Sequence, residues 1–285
     1  MRLLFCGTRG STPAPGAEFV RYGGNTACVA ISSDTGGPTL VLDGGTGLRR
    51  LARHLGGAPF RGTILLGHLH WDHTQGLPFF GSADHPESRT TVALPAQGEP
   101  EEVLGRCLGP PFFPLRPSEL RGHWGFTGLE AGVHEIEGFS VTALDIPHGA
   151  GRAFGYRVSD GSSTLAYLSD HSPTSLGPGP EGRGEYHPAA VSLAADVDVL
   201  IHDGQHVDDE FPEKAFLGHS TVEYAIALAE RCRVGRVVLF HHDPDRTDDQ
   251  IDAIVAKHQH HRVRVSAAVE GMGLDVPDRQ PGEDR

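Results

Sequence analysis

The chain has 285 residues, enough for one large domain or two small ones and for a sizeable hydrophobic core. Hydrophobic residues make up 38% and charged residues 21%, which disfavours wholesale disorder and a membrane protein. The net charge of −13 at pH 7 disfavours electrostatic binding of long nucleic acid. The first apolar run has only four residues before Gly7, too short for a signal peptide or a membrane span, so we expect a cytoplasmic protein.

In chain order, short apolar runs rich in β-branched residues predict strands. They lie at 3–6, 28–31, 40–42, 63–66, 91–94, 141–144, 165–168, 197–201 and 237–240. Helical periodicity falls between some of them, at 47–54, 99–107, 187–195, 221–231 and 248–260. Because strands come first and then alternate with helices, we expect an α/β fold of mixed sheets with helices on the outside.

Three segments punctuated by Gly and Pro interrupt this pattern, at 109–125, at 172–188 and from 277 onward. We therefore interpret residues 1–276 as a single domain in which 109–125 and 172–188 are loop insertions, and residues 277–285 as a tail. The 109–125 segment is rich in aromatic residues. A lid over a site and a surface packing insertion are both open for it, and the insertion is favoured.

Histidine is the unusual residue type, with 18 copies, and four metal-capable side chains fall within six residues after the predicted strand 63–66. They form the string H-x-H-x-D-H, made of His68, His70, Asp72 and His73. At an extended strand end, His68 and His70 share one face, while the following turn brings Asp72 and His73 to a second centre. The competing reading is a loop that these side chains merely decorate, and we disfavour it.

Three more candidate ligands follow predicted strands, namely His148 in IPHG, Asp170 in YLSD and His241 in LFHHD. The carboxyl ends of strands are where open α/β sheets place their sites. Together the seven side chains offer five imidazoles and two carboxylates, enough for two metal sites if Asp170 bridges them. Nitrogen and carboxylate ligands without thiolate favour zinc, with manganese and iron as alternatives.

This set of residues resembles the metallo-β-lactamase fold family, and the likeness extends from Leu3 to about Val276. The resemblance implies an αββα sandwich, with two mixed sheets, outer helices and a dinuclear metal site. It also implies two divalent metal ions, the first bound by His68, His70 and His148 and the second by Asp72, His73 and His241, with Asp170 shared.

Other stretches resemble the ribonuclease Z and cyclic-phosphodiesterase branch of that family: GTRGSTPAPG at 7–16, RYGGNTAC at 21–28, LDGGTG at 42–47 and GHST at 218–221. In that branch the histidine of a His-Ser-Thr loop serves the leaving group. The resemblance therefore implies a catalytic role for His219, whose alternative is a polar residue beside a helix N-terminus. Asp72 is the second catalytic candidate, as a group that orients the nucleophile.

The chain also departs from this branch. It has no P-x-K-x-R-N loop, and the stretch from 206 to 218 is too short for the long arm that grips transfer RNA. We therefore expect hydrolysis of a small or cyclic phosphodiester by a hydroxide activated between two metals, and we regard long nucleic acid as a disfavoured partner. No membrane partner is expected, and a homodimer stays open because relatives form dimers.

Two alternative functions remain. A thioester or lactam hydrolase of the same fold would use every ligand but gain nothing from the GHST loop, and a non-catalytic metal-binding module needs no His219. A redox di-iron protein is disfavoured because such proteins carry Glu at the position of His70.

Several neighbouring residues have two readings of equal weight. Asp43 and Asp203 either orient the imidazoles or serve as turn residues or caps. Of the adjacent His241 and His242, only one is expected to reach the metals, because alternate side chains of a strand face opposite ways. Four side chains of the early glycine-rich loops are candidates for phosphate contact or for turn chemistry: Thr8, Arg9, Ser11 and Asn25.

Overall fold

The computed structural model describes residues 1–33, 36–179 and 181–276. The predicted tail 277–285 lies outside the described residues. Within them, the strands are β1 (Arg2–Gly7), β2 (Cys28–Ser32), β3 (Leu40–Leu42), β4 (Arg61–Leu65), β5 (Arg89–Pro95), β6 (Trp124–Leu129), β7 (Gly132–Ile136), β8 (Phe139–Asp145), β9 (Phe154–Ser159), β10 (Thr164–Leu168), β11 (Val199–Asp203), β12 (Arg236–Phe240), β13 (Arg264–Ala267) and β14 (Gly273–Asp275).

The helices are short, and most of them connect strands. The α-helices in the described residues are α1 (Leu48–His54), α2 (Trp71–Thr74), α3 (Pro100–Gly105), α4 (Pro188–Ala194), α5 (Phe211–Lys214), α6 (Val222–Arg231) and α7 (Asp248–Lys257). Single 3₁₀ turns lie at Ala17–Phe19, Leu77–Phe79, Pro117–Glu119, Pro173–Leu176 and Ala215–Leu217. No helix in the described part of the chain is long and apolar enough to cross a membrane.

The strands form two mixed sheets of seven strands each, with the orders β14-β1-β2-β3-β4-β5-β6 and β13-β12-β11-β10-β9-β8-β7. In the first sheet, pairing is antiparallel from β14 to β3 and parallel from β3 to β6. In the second sheet, pairing is antiparallel from β7 to β10 and parallel from β10 to β13. Each sheet thus carries a parallel half whose carboxyl strand ends can supply a site.

Three apolar clusters hold these layers together. The first lies between the sheets, where Phe5 and Leu42 of one sheet meet Tyr156 and Phe240 of the other. The second packs α4, α6 and α7 on the second sheet, and the third packs α1 and α3 on the first. The order of layers is therefore helix, sheet, sheet, helix, as the resemblance implied, and the prediction of an αββα sandwich is confirmed.

Local sequence accounts for the two longest helices. Thr221 caps α6 by accepting a hydrogen bond from the Tyr224 amide at 3.0 Å, and apolar side chains at spacings of three and four face the sheet. Thr247 and Gln250 form a capping box at the start of α7. The predicted helix 248–260 was three residues too long, because His258 already ends α7.

The two predicted insertions are only partly loops. The 109–125 segment includes the first residues of β6, which pairs in parallel with β5. The 172–188 segment contains a 3₁₀ turn and the first residue of α4. The apolar runs predicted no strand at β6, β7, β9, β13 or β14, and all of these except β9 lie at a sheet edge.

Candidate metal centre

The H-x-H-x-D-H string lies where β4 leaves the first sheet. His68 and His70 follow the strand, and His70, in extended backbone, precedes α2, which carries Asp72 and His73. His68, Asp72 and His73 are buried, whereas His70 is exposed at the mouth of a cavity. The abrupt change from extended chain to a single helical turn directs all four side chains towards one centre.

The remaining candidate ligands reach the same centre from the second sheet. His148 follows β8, Asp170 follows β10 and His241 directly follows β12. All three side chains are buried. The structure therefore brings all seven predicted ligands together at one edge of the sandwich, with both sheets contributing.

The seven side chains divide into two groups that share a boundary at Asp170. The ligand atoms of His68, His70 and His148 lie within 4.8 Å of one another, and so do those of Asp72, His73, Asp170 and His241. The Asp170 Oδ2 atom lies 3.1 Å from His73 Nε2. Its Oδ1 atom lies 3.6 Å from His148 Nε2, so one carboxylate faces both groups.

Hydrogen bonds behind three of the rings fix which nitrogen faces inward. The His73 Nδ1–H donates to Asp43 Oδ2 at 2.8 Å, and the His148 Nδ1–H donates to the Gly218 carbonyl at 2.7 Å. The His241 Nδ1–H donates to Gln205 Oε1 at 2.8 Å. Each ring therefore presents the lone pair of Nε2 to the centre, as imidazoles do in metal sites.

These inward-facing atoms have acceptors around them and few donors. His73 Nε2 lies 3.1 Å from both Asp72 Oδ2 and Asp170 Oδ2, and His241 Nε2 lies 3.0 Å from Asp72 Oδ2. His68 Nε2, His73 Nε2 and Asp170 Oδ2 are buried without any hydrogen-bond partner. Converging lone pairs and carboxylate oxygens repel one another unless a cation lies between them, so the residues present fit divalent cations.

The pKa shifts separate three neutral rings from one ring that the carboxylates protonate. Burial lowers the pKa of His68, His70 and His148 below the usual range, so these rings stay neutral. Burial alone would also lower the pKa of His73. The carboxylates of Asp170, Asp72 and Asp43 reverse that effect and raise the pKa of His73 well above its ordinary value.

Backbone geometry at two positions is adapted to the site. His241 has φ of 57° and Asp43 has φ of 63°, in the left-handed region that L-residues adopt at a cost of about 1–3 kcal/mol. Asp43 uses this geometry to accept hydrogen bonds from the Gly67 amide and the Tyr167 hydroxyl, each at 2.7 Å. A Cβ on Gly10 would lie 2.2 Å from His241 Nδ1, so this close approach requires glycine.

His219 lies beside the two groups and is tied to a second buried carboxylate. Its Nδ1 lies 3.0 Å from Asp203 Oδ2 and 3.8 Å from Asp170 Oδ1. Burial lowers its pKa, but the charge and hydrogen bond of Asp203 outweigh burial and raise the pKa of His219 to about 9. The ring is therefore protonated near neutral pH, and its Nε2–H is free to serve a ligand in the cavity.

The centre opens into a cavity of about 410 Å³. Besides the predicted site residues His70, Asp72, His148, Asp170 and His219, its walls include Ser11, Leu69, Trp71, Gln205 and Leu217. No Lys or Arg side chain is among the described residues of this lining.

The sequence did not point to Gln205, which orients His241 and belongs to no motif that could have revealed it. Ser11, a candidate for phosphate contact or turn chemistry, contributes to the site through its main chain, because its backbone amide donates to Asp72 Oδ2 at 2.8 Å. Asp43 and Asp203, for which two readings were open, do orient His73 and His219.

The early loops are mainly structural. Arg9 is fully buried, and its guanidinium donates to the carbonyls of Gly23, Asp243 and Arg246. These bonds leave Arg9 facing away from the cavity lining. Thr8 donates to the Tyr22 carbonyl and Asn25 binds Glu270, so both side chains support the loops.

His242 points away from the centre, as the alternation argument required for one of the adjacent pair. Its Nε2–H donates to the Ala268 carbonyl at 3.0 Å.

The family described as the β-lactamase superfamily domain matches residues 39–242. The chain belongs to this family. Ribonuclease Z of Methanosarcina acetivorans is 27% identical, and the match covers 98% of this chain and 99% of that protein.

Solved structures share the fold. The metallo-β-lactamase fold protein YhfI from Bacillus subtilis superposes with a TM-score of 0.70 at 17% identity, covering 96% of this chain and 98% of that one. The short form of human tRNase Z superposes with a TM-score of 0.67 at 21% identity, covering 97% of this chain and all of that one.

The predicted family and the predicted class, a hydrolase that uses divalent metal ions, are confirmed. One expectation conflicts with the names of the relatives. We expected long nucleic acid to be a disfavoured partner, but the matched relatives are named as ribonucleases.

Proposed function

We propose that this protein is a dinuclear metal-dependent phosphodiesterase. The observation that carries the proposal is the pair of ligand groups that meet at Asp170, with the protonated ring of His219 beside them. Two cations spaced to share one carboxylate suit an in-line displacement at phosphorus, and an adjacent acid suits a poor leaving group.

The geometry supports the following assignment of ligands. His68, His70 and His148 would hold one cation and Asp72, His73 and His241 the other, with the carboxylate of Asp170 facing both groups. Nitrogen and oxygen ligands without thiolate favour zinc, and manganese and iron bind the same donor set. When bound, the two cations lower the pKa of water and neutralise phosphate oxygens.

The side chains then have distinct roles. Asp72 accepts the Ser11 amide at 2.8 Å, which holds its carboxylate in place to orient the attacking water. His219 keeps its Nδ1–H on Asp203 and lines the cavity, so its Nε2–H can donate a proton to the leaving oxygen as the ester bond breaks. No nucleophilic side chain is required, and attack by water completes the reaction in one displacement.

The charged ring of His219 favours this reaction over thioester hydrolysis in the same fold. A departing alkoxide is strongly basic and needs a proton, whereas a thiolate leaves without one. A purely metal-binding module would have no use for a buried imidazolium held by Asp203.

A small or cyclic phosphodiester fits the cavity better than a long RNA, since the described lining has no Lys or Arg to bind successive phosphates. The negative charge of the whole chain acts in the same direction. RNA is the second candidate, favoured by the names of the matched relatives. Hydrolysis of a small diester and hydrolysis of RNA would differ in the length of the substrate and in how strongly substrate binding depends on salt.

The test combines metal content with turnover. We expect about two metal ions per chain by elemental analysis and hydrolysis of bis(p-nitrophenyl) phosphate and of cyclic nucleotides. Asp72→Ala should abolish diester turnover, whereas Glu213→Gln, at an exposed carboxylate outside the site, should not. Turnover of thioesters alone would overturn the proposal. Faster cleavage of a precursor transfer RNA than of any small diester would transfer the assignment to RNA.

A further inference from the structure

A second cavity of about 510 Å³ adjoins the metal centre, and we call it the aromatic groove. It is defined by Trp71, Phe79, Phe112 and Phe113, with Gln75 and Arg106 also in its walls. Phe112 and Phe113 come from the 109–125 segment, so this insertion forms one wall of the groove. The rings of Phe79 and Phe113 meet edge to face, with centroids 5.9 Å apart.

The groove gathers most of the exposed aromatic surface of the molecule. The side chains of Trp71, Phe79 and Phe112 are 70%, 58% and 77% exposed. Across the described residues, Phe216 is the one further exposed Trp or Phe side chain. Single exposed apolar side chains are common on protein surfaces. Large ones that cluster around a concave site mark a ligand-binding surface.

Trp71 joins the groove to the metal centre. It lies between His70 and Asp72 in sequence and lines both cavities. On α2, Asp72 faces the metal centre, while Trp71 and Gln75 are one helical turn apart and both line the groove. A phosphodiester held at Asp72 and His219 can therefore place one ester substituent across Trp71 into the groove.

We propose that the aromatic groove binds a planar aromatic group of the substrate, of the size of a nucleobase. This inference rests on the phosphodiesterase function proposed above and adds the chemical class of one ester substituent. Flat rings stack on Trp and Phe side chains and on the plane of an Arg guanidinium such as that of Arg106. The Gln75 amide, whose Nε2 reaches Thr26 Oγ1 only at 3.5 Å, can bond the edge of such a ring.

Three p-nitrophenyl diesters with a common leaving group test this. In the methyl, n-octyl and thymidine 5′ esters only the second substituent differs. We expect kcat/KM for the thymidine ester to exceed that for the methyl ester about tenfold, the scale of one base stacked on aromatic side chains. Phe112→Ala and Phe79→Ala should each lower this ratio towards one. Leu115→Ala, at a half-exposed side chain of the same insertion outside the groove, should leave the ratio unchanged.

A binding experiment separates failure of the groove from failure of the enzymatic function. The chain has two tryptophans, so in Trp124→Phe the intrinsic fluorescence reports Trp71 alone. We expect adenosine, which carries no phosphate, to quench this fluorescence saturably, and Phe112→Ala to weaken that quenching.

Each outcome decides the matter. If no diester is hydrolysed but adenosine binds, the phosphodiesterase proposal falls and the aromatic subsite stands. If diesters are hydrolysed but neither Phe variant changes the ratio of kcat/KM between the thymidine and methyl esters, the proposed subsite is wrong. A preference for the octyl ester that both variants abolish would also overturn it, in favour of an alkyl chain.

Discussion

Removing the imidazole of His219 should slow hydrolysis only where the leaving group needs a proton. With its pKa at about 9, His219 is protonated at pH 7. A positioned general acid contributes about 10²- to 10⁴-fold to such a step. We therefore expect His219→Ala to lower kcat for a 2′,3′-cyclic nucleotide by that factor. For bis(p-nitrophenyl) phosphate, whose leaving group departs as a stable anion, the loss should be less than about tenfold.

Asp203→Asn probes the same proton through the pH profile. With the carboxylate present, kcat for the cyclic substrate should fall as pH rises through about 9, where His219 loses its proton. Without it, burial is opposed only by the charges of Asp170 and Asp72, so the pKa of His219 falls. The alkaline limb should therefore move to lower pH. The assay is kcat against pH for both substrates, with metal content measured on each variant.

One result would refute this reasoning. If His219→Ala slowed both substrates by the same factor while metal content stayed normal, His219 would support the site without serving the leaving group. An alkaline limb unmoved by Asp203→Asn would separately show that the carboxylate does not control the proton.

Three further predictions concern metal binding and stability. A chelator should lower Tm by about 15 °C or more, because two cations at 1,000-fold their Kd contribute about 8 kcal/mol to the free energy of unfolding; an unchanged Tm in scanning fluorimetry would contradict a resident metal. Asp43→Asn should weaken zinc binding about 10- to 100-fold in a competition titration, because the amide has one acceptor oxygen for the Gly67 amide, the Tyr167 hydroxyl and His73, which now share two; unchanged affinity would show that the bond to His73 is dispensable. Burial lowers the pKa of His242 to about 3, so the unfolded chain takes up the proton first and the free energy of unfolding falls as pH drops below 6.5. Between pH 7 and pH 5 His242 should account for about 2 kcal/mol of that fall, and His242→Gln should remove it in urea titrations at both pH values.

The sequence predicts the fold best where burial is complete. Val222, Ala225, Ile226 and Ala229 repeat at helical spacing and are buried in α6, and the apolar runs at 40–42 and 237–240 became central strands. Strand β7 escaped because none of its residues is fully buried and its residues alternate between exposed and partly buried. A search for consecutive apolar residues finds buried strands, whereas an edge strand is fixed by its hydrogen-bonded neighbour.

At the metal centre, too, local patterns could be predicted from the sequence and contacts between distant segments could not. The cluster from His68 to His73 is local, so its spacing alone indicates metal chemistry. His148, Asp170 and His241 could be placed because each follows a strand, and strand ends converge. The contact of Gln205 with His241 depends on how two separate loops leave β11 and β12. No pattern within either loop encodes that distance.

Charge balance explains why the buried site needs its cations. Asp43, Asp72, Asp170 and Asp203 are all buried at one edge of the sandwich, and the cost of burying four carboxylates is severe unless positive charge accompanies them. Two divalent cations would supply positive charge beside the carboxylates of the ligand set, while Asp203 pairs with the ring of His219. Without cations, protons take their place.

The surrounding carboxylates raise the pKa of two rings, His73 and His219. His73 contacts Asp43, Asp72 and Asp170, and His219 contacts Asp203 with Asp170 nearby. Their protons compensate the same carboxylates that the cations would neutralise. His73 lies in the ligand set, so its proton competes directly with a cation, whereas His219 lies outside it and can keep its proton. In the proposed function, this difference in position allows one imidazole to act as a ligand and another to act as an acid within the same cluster.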